Sequence, residues 1–401
     1  MRAVNTTPTS SIKTVAVIGD GQLARMMQPA AIELGIHLRL LAGASDSSAA
    51  QVIPAVTLGD YTVTEDCLTA AEGADAVTFD HEHVPPAALE ALIAAGYSVQ
   101  PQPAALINAQ DKLVQRRRLS ELGAPVPEFA AIETPADARA FWGRVDGAVC
   151  LKACRGGYDG KGVWFPATPE ELESLVAEIL DAGTPLMAER KVALTRELSI
   201  LVARNPSGEV KAWPITMSVQ ENGVCAEAIA PAPDLDPELA ARASQLGLDI
   251  ATELGVTGVL AVELFAFTGA DGREDIAVNE LAMRPHNTGH WTQAGAVTSQ
   301  FEQHLRAVLD LPLGSADAIA PVTVMANVLG AAEDPALPMA DRVAEVSRRF
   351  PNAKIHLYGK DHSLGRKIGH VNLIGSAVEA TRRDARLAAG FLVHATWADR
   401  A

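Results

Sequence analysis

Two glutamates, Glu263 and Glu280, stand in the apolar runs "GVLAVELFAFTG" and "DIAVNELAMRPHNTGHWTQAG", which are joined through Asp271-Gly272. Asp-Gly suits a two-residue hairpin loop, because both central positions need positive φ. With that loop Ala270 faces Arg273, and counting back sets Glu263 directly opposite Glu280. Alternation then puts Ala261, Glu263 and Phe265 on one face, with Val278 and Glu280 across from them. Directly opposed side chains have Cβ atoms about 5 Å apart. Two carboxylates that close either share their site with a cation or leave one of the pair protonated. Hard oxygen ligands suit Mg²⁺, which usually binds substrate phosphates as well. The plain alternative is a solvated face with two ordinary glutamates. Asn279 before Glu280, and Arg284, His286 and Asn287 after it, form a basic, amide-rich run that suits an anion instead. A metal-bound nucleotide is the expected neighbour.

A second phosphate-type motif is "LKACRGGYDGKGVW". Lys152 ends a strand, and Gly156, Gly157, Gly160 and Gly162 surround Lys161, letting backbone N–H groups close onto phosphate oxygens. It is not a Walker A loop, since Gly162 follows Lys161 where Ser or Thr is required and Arg155 occupies the earlier glycine position. A lid over a triphosphate is expected, with a flexible surface hairpin as the alternative. Near the start, "GDGQLA" fits G-x-G-x-x-A after a strand. The following strand "HLRLLAG" does not end in the acid that would hold a ribose, and Asp46 lies several residues beyond, so a dinucleotide is not expected. Free amides at that helix N-terminus could still hold an anionic or polar ligand. In "HLYGKDHSLGRKIGHVN" the cations Lys360, Arg366 and Lys367 lie among Gly359, Gly365 and Gly369, which suits a phosphate monoester; a solvated charge cluster is the alternative. "QRRRL" reads as a helix surface. His37, His304 and the cysteines receive no role, and Trp142 and Trp213 read as packing residues.

The elements that must position these residues are legible in the pattern. "TVAVIGDGQLARMMQPAAIELG" reads as strand, glycine turn and helix. With "HLRLLAG", "DAVTFDHEHV" and "YSVQ" as strands and "PPAALEALIAAG" as a helix, it predicts a parallel sheet with helices on both faces. From Lys112 the pattern becomes α+β: the helix "QDKLVQRRRLSELG", the strand "GAVCLKAC", and two capped helices. One of these opens at Thr168 with Pro169 and Glu171, and the other runs from Asp236 to Gly255. The chain has 401 residues and 48% apolar content, enough for several cores. A formal charge of -16 excludes a nucleic-acid groove, though not a locally basic pocket. No apolar run approaches the roughly 20 residues of a membrane helix. "MRAVNTTPTSSI" has no apolar stretch of signal-peptide type and reads as a frayed tail. Four scattered cysteines read as buried thiols of a reducing, cytoplasmic protein.

With these segments assembled, the chain resembles the ATP-grasp superfamily and, within it, the N5-carboxyaminoimidazole ribonucleotide synthetases. The resemblance rests on "GDGQLARMM", "FDHEHVP", "RGGYDGKG", "NELAMRPHNTGHWT", "HLYGK" and "GRKIGHVN", and covers nearly the whole chain after the tail. It implies a flexible tail over 1–12, a Rossmann-like α/β domain over 13–108, an α+β ATP-grasp domain over 109–312 and a small β-rich C-terminal domain over 313–401. The lid-bearing part of the ATP-grasp unit would span about 120–190 and the larger part about 191–312. The implied reaction is carboxylation of 5-aminoimidazole ribonucleotide by bicarbonate and ATP, with Mg²⁺, in a homodimer. Lys112 and Lys152 match phosphate-holding positions, and the lid residues are Gly157, Tyr158, Asp159, Gly160, Lys161, Gly162 and Val163. Glu189, Arg190, Lys191 (by its backbone), Val192, Glu197 and Gln220 match adenine and ribose contacts. Glu263 and Glu280 match the metal ligands, accompanied by Asn279, and Arg284, His286 and Asn287 match the bicarbonate region. Gln22, Glu82, Tyr158 and Asp159 would contact the aminoimidazole nucleotide, with Lys360, Arg366 and Lys367 on its 5′-phosphate. Asp159 is the expected acceptor of the amine proton, with His286 second. The sequence departs from the family at Ala24, usually glycine, and at Met283, usually proline. Met217 and Gln220 stand where some relatives have histidines. Three other activities compete: a formate-dependent glycinamide ribonucleotide formyltransferase of the same superfamily, a nicotinamide-dependent dehydrogenase, and a non-catalytic nucleotide-binding regulator.

Overall fold

The computed structural model describes residues 12–156, 162–221 and 223–400. Its N-terminal layer is a four-stranded parallel sheet in the order Ala55–Leu58, His37–Ala42, Thr14–Ile18, Ala76–Phe79. Val15 to Ile18 are wholly buried, as befits a parallel strand covered on both faces. The helix Gln22–Leu34 follows the glycine turn and stops on Gly35 at φ 66°. "YSVQ" forms no full strand; one parallel bridge joins Val99 to Val77.

The helix Lys112–Glu121 is capped by the Asp111 carboxylate, which accepts from the N–H groups of Leu113 and Val114 at 3.1 Å. It leads into a small antiparallel sheet in the order Phe129–Ile132, Leu186–Arg190, Val149–Ala153, Val163–Trp164. The helices Pro135–Arg144 and Pro169–Asp181 bury Phe141, Leu172 and Val176 against that sheet. As the sequence predicts, the Thr168 hydroxyl caps the second of them, accepting from the Glu171 N–H.

A nine-stranded antiparallel sheet forms the remainder. The C-terminal segment is continuous with it, because Val322–Leu329 pairs with Val224–Ala230 in the register Glu227 to Ala326. The helix Val378–His394 is pinned to this seam by Arg382 and Arg386, which both pair with the buried Glu227. The helix Gln300–Val308 joins the N-terminal layer to the large sheet through the wholly buried His304. Its Nε2 lies 2.8 Å from Thr78 Oγ1, and its Nδ1 accepts from the Val259 N–H at 3.1 Å. No helix among the described residues is long and apolar enough to cross a membrane.

The hairpin that carries the two glutamates differs from its expected form. Its loop is longer than Asp271-Gly272: the Gly269 N–H donates to the Arg273 carbonyl, and Gly272 alone takes a left-handed φ of 81°. That turn pairs Leu264 with Val278, which would set Glu263 against Asn279. A β-bulge then inserts Asn279 as an extra residue and restores the pairing of Glu263 with Glu280. Val278 thereby turns away from the Glu263 face and into the core with Leu264.

Candidate active site

A cleft of about 880 Å³ lies between the small sheet and the large one. Of the residues expected to bind or react, it is lined by Glu82, Lys112, Lys152, Val163, Glu189, Arg190, Lys191, Val192, Glu197, Gln220, Glu263, Asn279, Glu280, Arg284, His286, Asn287 and Lys367. Gln22, Gly162, Lys360 and Arg366 lie outside that lining. Gly157, Tyr158, Asp159, Gly160 and Lys161 lie outside the described residues.

The acidic end is built on the bulge. In a bulge two successive residues oppose one partner, so the Asn279 and Glu280 side chains both reach the cleft. Lys112 Nζ pairs with Glu280 Oε1 at 2.5 Å, and Asn279 Nδ2 contacts Glu263 Oε2 at 3.4 Å. Burial pushes the Glu263 carboxyl up to about 7, and the Glu280 and Glu197 charges add to the push. Two opposed carboxylates, one of them strongly disfavoured as an anion, fit a hard divalent cation that finishes its shell with phosphate and water. Among the described residues no cluster of three or more His, Cys, Asp or Glu offers a competing metal site. His286 stands behind Glu263, its Nε2 3.2 Å from Oε1, while its Nδ1 meets Thr288 Oγ1 at 2.9 Å. Burial first, and then the Arg284 charge, drive His286 down to about 3, so it is a neutral imidazole with both nitrogens engaged.

Towards the small sheet, Lys152 Nζ pairs with Glu189 and donates to Asn279 Oδ1 at 3.3 Å. Burial alone would raise the Glu189 carboxyl, but Arg116 and Lys152 outweigh it and hold it low. Burial raises Glu197, and a hydrogen bond from Gln220 partly offsets this. Arg190 engages Glu128 at 3.0 Å with its guanidinium. Lys191 Nζ lies over the exposed Phe165 ring, 5.0 Å from its centre.

At the opposite end, Arg284 Nε donates to Glu82 Oε2 at 2.9 Å and Nη1 to the Pro285 carbonyl at 3.2 Å. Its Nη2 makes no hydrogen bond among the described residues. Buried Asn287 Nδ2 has only the Cys225 thiol beside it and makes no hydrogen bond of normal geometry among the described residues. Two unsatisfied donors facing one cleft are suited to a small oxyanion. Lys360 bonds to the Gln22 side chain, and burial followed by the Arg366 charge lowers its ammonium.

Two expectations are corrected here. "QRRRL" is not all surface: Arg116 is wholly buried, with Nε 2.9 Å from Glu189 Oε2. Its signal was its place one helical turn after Lys112, on the same face. The amides of the first glycine turn are not all free, because the Gly21 N–H donates to Asp80 Oδ2 at 2.6 Å. Gly19 sits at φ 110°, and a Cβ there would lie 1.9 Å from Asp80 Oδ1, so the carboxylate occupies the place a pyrophosphate would need. The cysteines are as expected. All four are buried free thiols, and Cys150, Cys154 and Cys225 line the cleft, with burial raising each to about 11.

A cleft between two antiparallel sheets, with lysines above a carboxylate pair, defines an ATP-grasp enzyme. The ATP-grasp domain model matches residues 117–301, flanked by the ribonucleotide synthetase preATP-grasp domain over 12–110 and the phosphoribosylaminoimidazole carboxylase C-terminal domain over 323–384. More narrowly, the chain belongs to the N5-carboxyaminoimidazole ribonucleotide synthase family. It is 69% identical to the enzyme of that name from Corynebacterium ammoniagenes, over 96% of this chain and 93% of that one. The synthetase from Thermus thermophilus superposes with a TM-score of 0.82 at 34% identity, covering 95% of this chain and 98% of that one. The Aspergillus clavatus synthase, in complex with ADP and 5-aminoimidazole ribonucleotide, gives a TM-score of 0.84 at 29% identity, covering 95% and 98%.

Proposed function

We propose that this chain is the ligase that uses ATP and bicarbonate to carboxylate 5-aminoimidazole ribonucleotide to its N5-carboxy form, in purine biosynthesis. What carries the reading is the opposed Glu263–Glu280 pair with Lys112 against it, in one cleft with the Arg284 guanidinium and the Asn287 amide. Lys112 and Lys152 would hold the ATP phosphates, and Glu189 to Val192 with Glu197 and Gln220 the adenine and ribose. Mg²⁺ held by Glu263 and Glu280 would neutralise charge on the β- and γ-phosphate oxygens.

Arg284 Nη2 and Asn287 Nδ2 would orient bicarbonate so that one of its oxygens attacks the γ-phosphorus and ADP leaves. The mixed anhydride breaks to CO₂ and phosphate, and the exocyclic amine of the ribonucleotide adds to the carbon while losing a proton. Asp159 is the proposed acceptor of that proton, because both nitrogens of His286 are engaged. An Asp159→Asn enzyme that carboxylates at the normal rate would remove that role. Glu82, Gln22 and Tyr158 would hold the aminoimidazole nucleotide, with Lys360, Arg366 and Lys367 at its 5′-phosphate. Closure of the glycine-rich lid over Gly157 to Val163 would keep water from the anhydride.

The decisive assay is ADP release. It should require bicarbonate and 5-aminoimidazole ribonucleotide together, and formate with glycinamide ribonucleotide should not replace them. Release independent of the aminoimidazole nucleotide would overturn the assignment. The reading extends to a cytoplasmic homodimer on the family likeness, and light scattering that gives the mass of one chain would remove that part.

A further inference from the structure

Arg116 is buried within the protein, yet no ligand contact is assigned to it. Its guanidinium makes three bonds: Nε to Glu189 Oε2 at 2.9 Å, Nη1 to Gln115 Oε1 at 2.9 Å, and Nη2 to the Asn279 carbonyl at 2.5 Å. Gln115 is itself anchored, donating to the Asn108 carbonyl at 2.8 Å. The bond to Asn279 falls on the bulge, where the ladder leaves a carbonyl in need of another donor. One turn earlier on the same face, Lys112 holds the side chain of the next residue, Glu280. The helix therefore grips two consecutive residues of the bulge, one by its backbone and one by its carboxylate.

A ring closes through the same groups. Arg116 and Lys152 share the Glu189 carboxylate, Lys152 also donates to Asn279 Oδ1, and the Asn279 carbonyl returns to Arg116. From this ring Asn279 Nδ2 reaches Glu263. Three elements meet in it: the Lys112–Glu121 helix, the small sheet and the large sheet.

We propose that Arg116 is a positioning residue for the metal–nucleotide: it fixes the bulge that aims Glu263 and Glu280, and it shares the charge of Glu189 with Lys152 in the same cleft. The proposal rests on the cleft being the Mg·ATP site. Without Arg116, Lys152 is the sole cation on the buried Glu189 and is harder to release to phosphate, while the Asn279 carbonyl loses its donor. Lysine at this position has one point charge and cannot span both Glu189 and the carbonyl.

The test compares Arg116→Gln, Arg116→Lys and Glu280→Gln, each confirmed folded by circular dichroism and a cooperative melt. The expected result for Arg116→Gln is at least a 10-fold rise in KM for ATP and in the Mg²⁺ needed for half-maximal rate, with KM for 5-aminoimidazole ribonucleotide within 2-fold of the parent. Arg116→Lys, the variant better placed to fold, should fall between the two. An equal rise in both substrates' KM, or unchanged ATP and Mg²⁺ dependence in folded Arg116→Lys, would overturn the proposal. If Glu280→Gln also keeps its Mg²⁺ dependence, the reading of the cleft fails; if Glu280→Gln loses it while Arg116→Gln does not, only the role of Arg116 fails.

Discussion

Glu280 shows how one side chain can answer to two charges of opposite sign. Lys112 pairs with it across 2.5 Å, and its charge adds to the burial that pushes Glu263 up to about 7. Glu263 therefore takes up a proton near neutral pH, and a divalent ion bound there must displace it. Glu280→Gln removes one charged oxygen donor and leaves Lys112 unpaired beside the phosphates. Loss of one preorganised electrostatic contact costs about 100-fold or more in kcat. We expect at least that loss in ADP release with both co-substrates present, and Mg²⁺ titrations should show a right-shifted half-saturation. A Glu280→Gln enzyme with parental kcat at ordinary Mg²⁺ would mean that this carboxylate holds no metal. Arg284 makes the complementary case: Glu82 takes its Nε, which aims the other edge of the guanidinium at the cleft.

At the scale of elements, the pairing of Glu263 with Glu280 was legible in the sequence, but through two departures that offset each other. The loop around Gly272 shifts the register by one residue, and the bulge at Asn279 shifts it back. No local signal in "DIAVNEL" announces a bulge, because its cause is tertiary: a buried guanidinium that takes the Asn279 carbonyl. Helix starts were easier, since a cap is local chemistry, as at Thr168 and Asp236. The buried Arg116 and the Asp80 plug under Gly19 were hidden for the same reason as the bulge, each being fixed by a partner far away in sequence. Asp111 offers an element-level test. It caps the helix that begins with Lys112, and it also accepts from Arg155 Nε at 2.9 Å. Asp111→Ala should cost about 1 kcal/mol of stability and raise KM for ATP as the first turn frays. Asp111→Asn keeps a capping oxygen and should restore most of both, because the Arg155 side chain is 54% exposed and such pairs contribute little. Urea unfolding and ATP titration of the two variants check this, and equal losses in both would put the effect on Arg155 instead.

Across the whole molecule, one buried histidine joins the N-terminal layer to the large sheet, others pack the cleft loop on the C-terminal strands, and all must stay neutral. His304 ties the Thr78 strand to Val259, and burial drives it down to about 3. Burial also lowers His290 and His370, whose rings stack 4.7 Å apart between the cleft loop and the C-terminal strands, and takes His356 to about 4. A folded-state value below the unfolded one contributes stability that is present above the unfolded pKa of about 6.5 and is lost as pH falls toward the folded value. Asp80 and Glu263 work in the opposite sense: raised to about 6 and about 7, they cost stability as pH rises through those values and gain it as pH falls. The histidines outnumber them, so unfolding takes up protons between pH 6.5 and pH 4 and the enzyme loses stability on acidification. Each neutral histidine adds up to about 1.4 kcal/mol per pH unit to that slope. His304→Gln offers one donor and one acceptor to the same two partners without a titrating ring. Its urea midpoint at pH 7 should lie near that of the parent, and its fall between pH 7 and pH 5 should be shallower by about one histidine's share. Parallel pH profiles for the two proteins would show that His304 does not carry acid sensitivity across the domain junction.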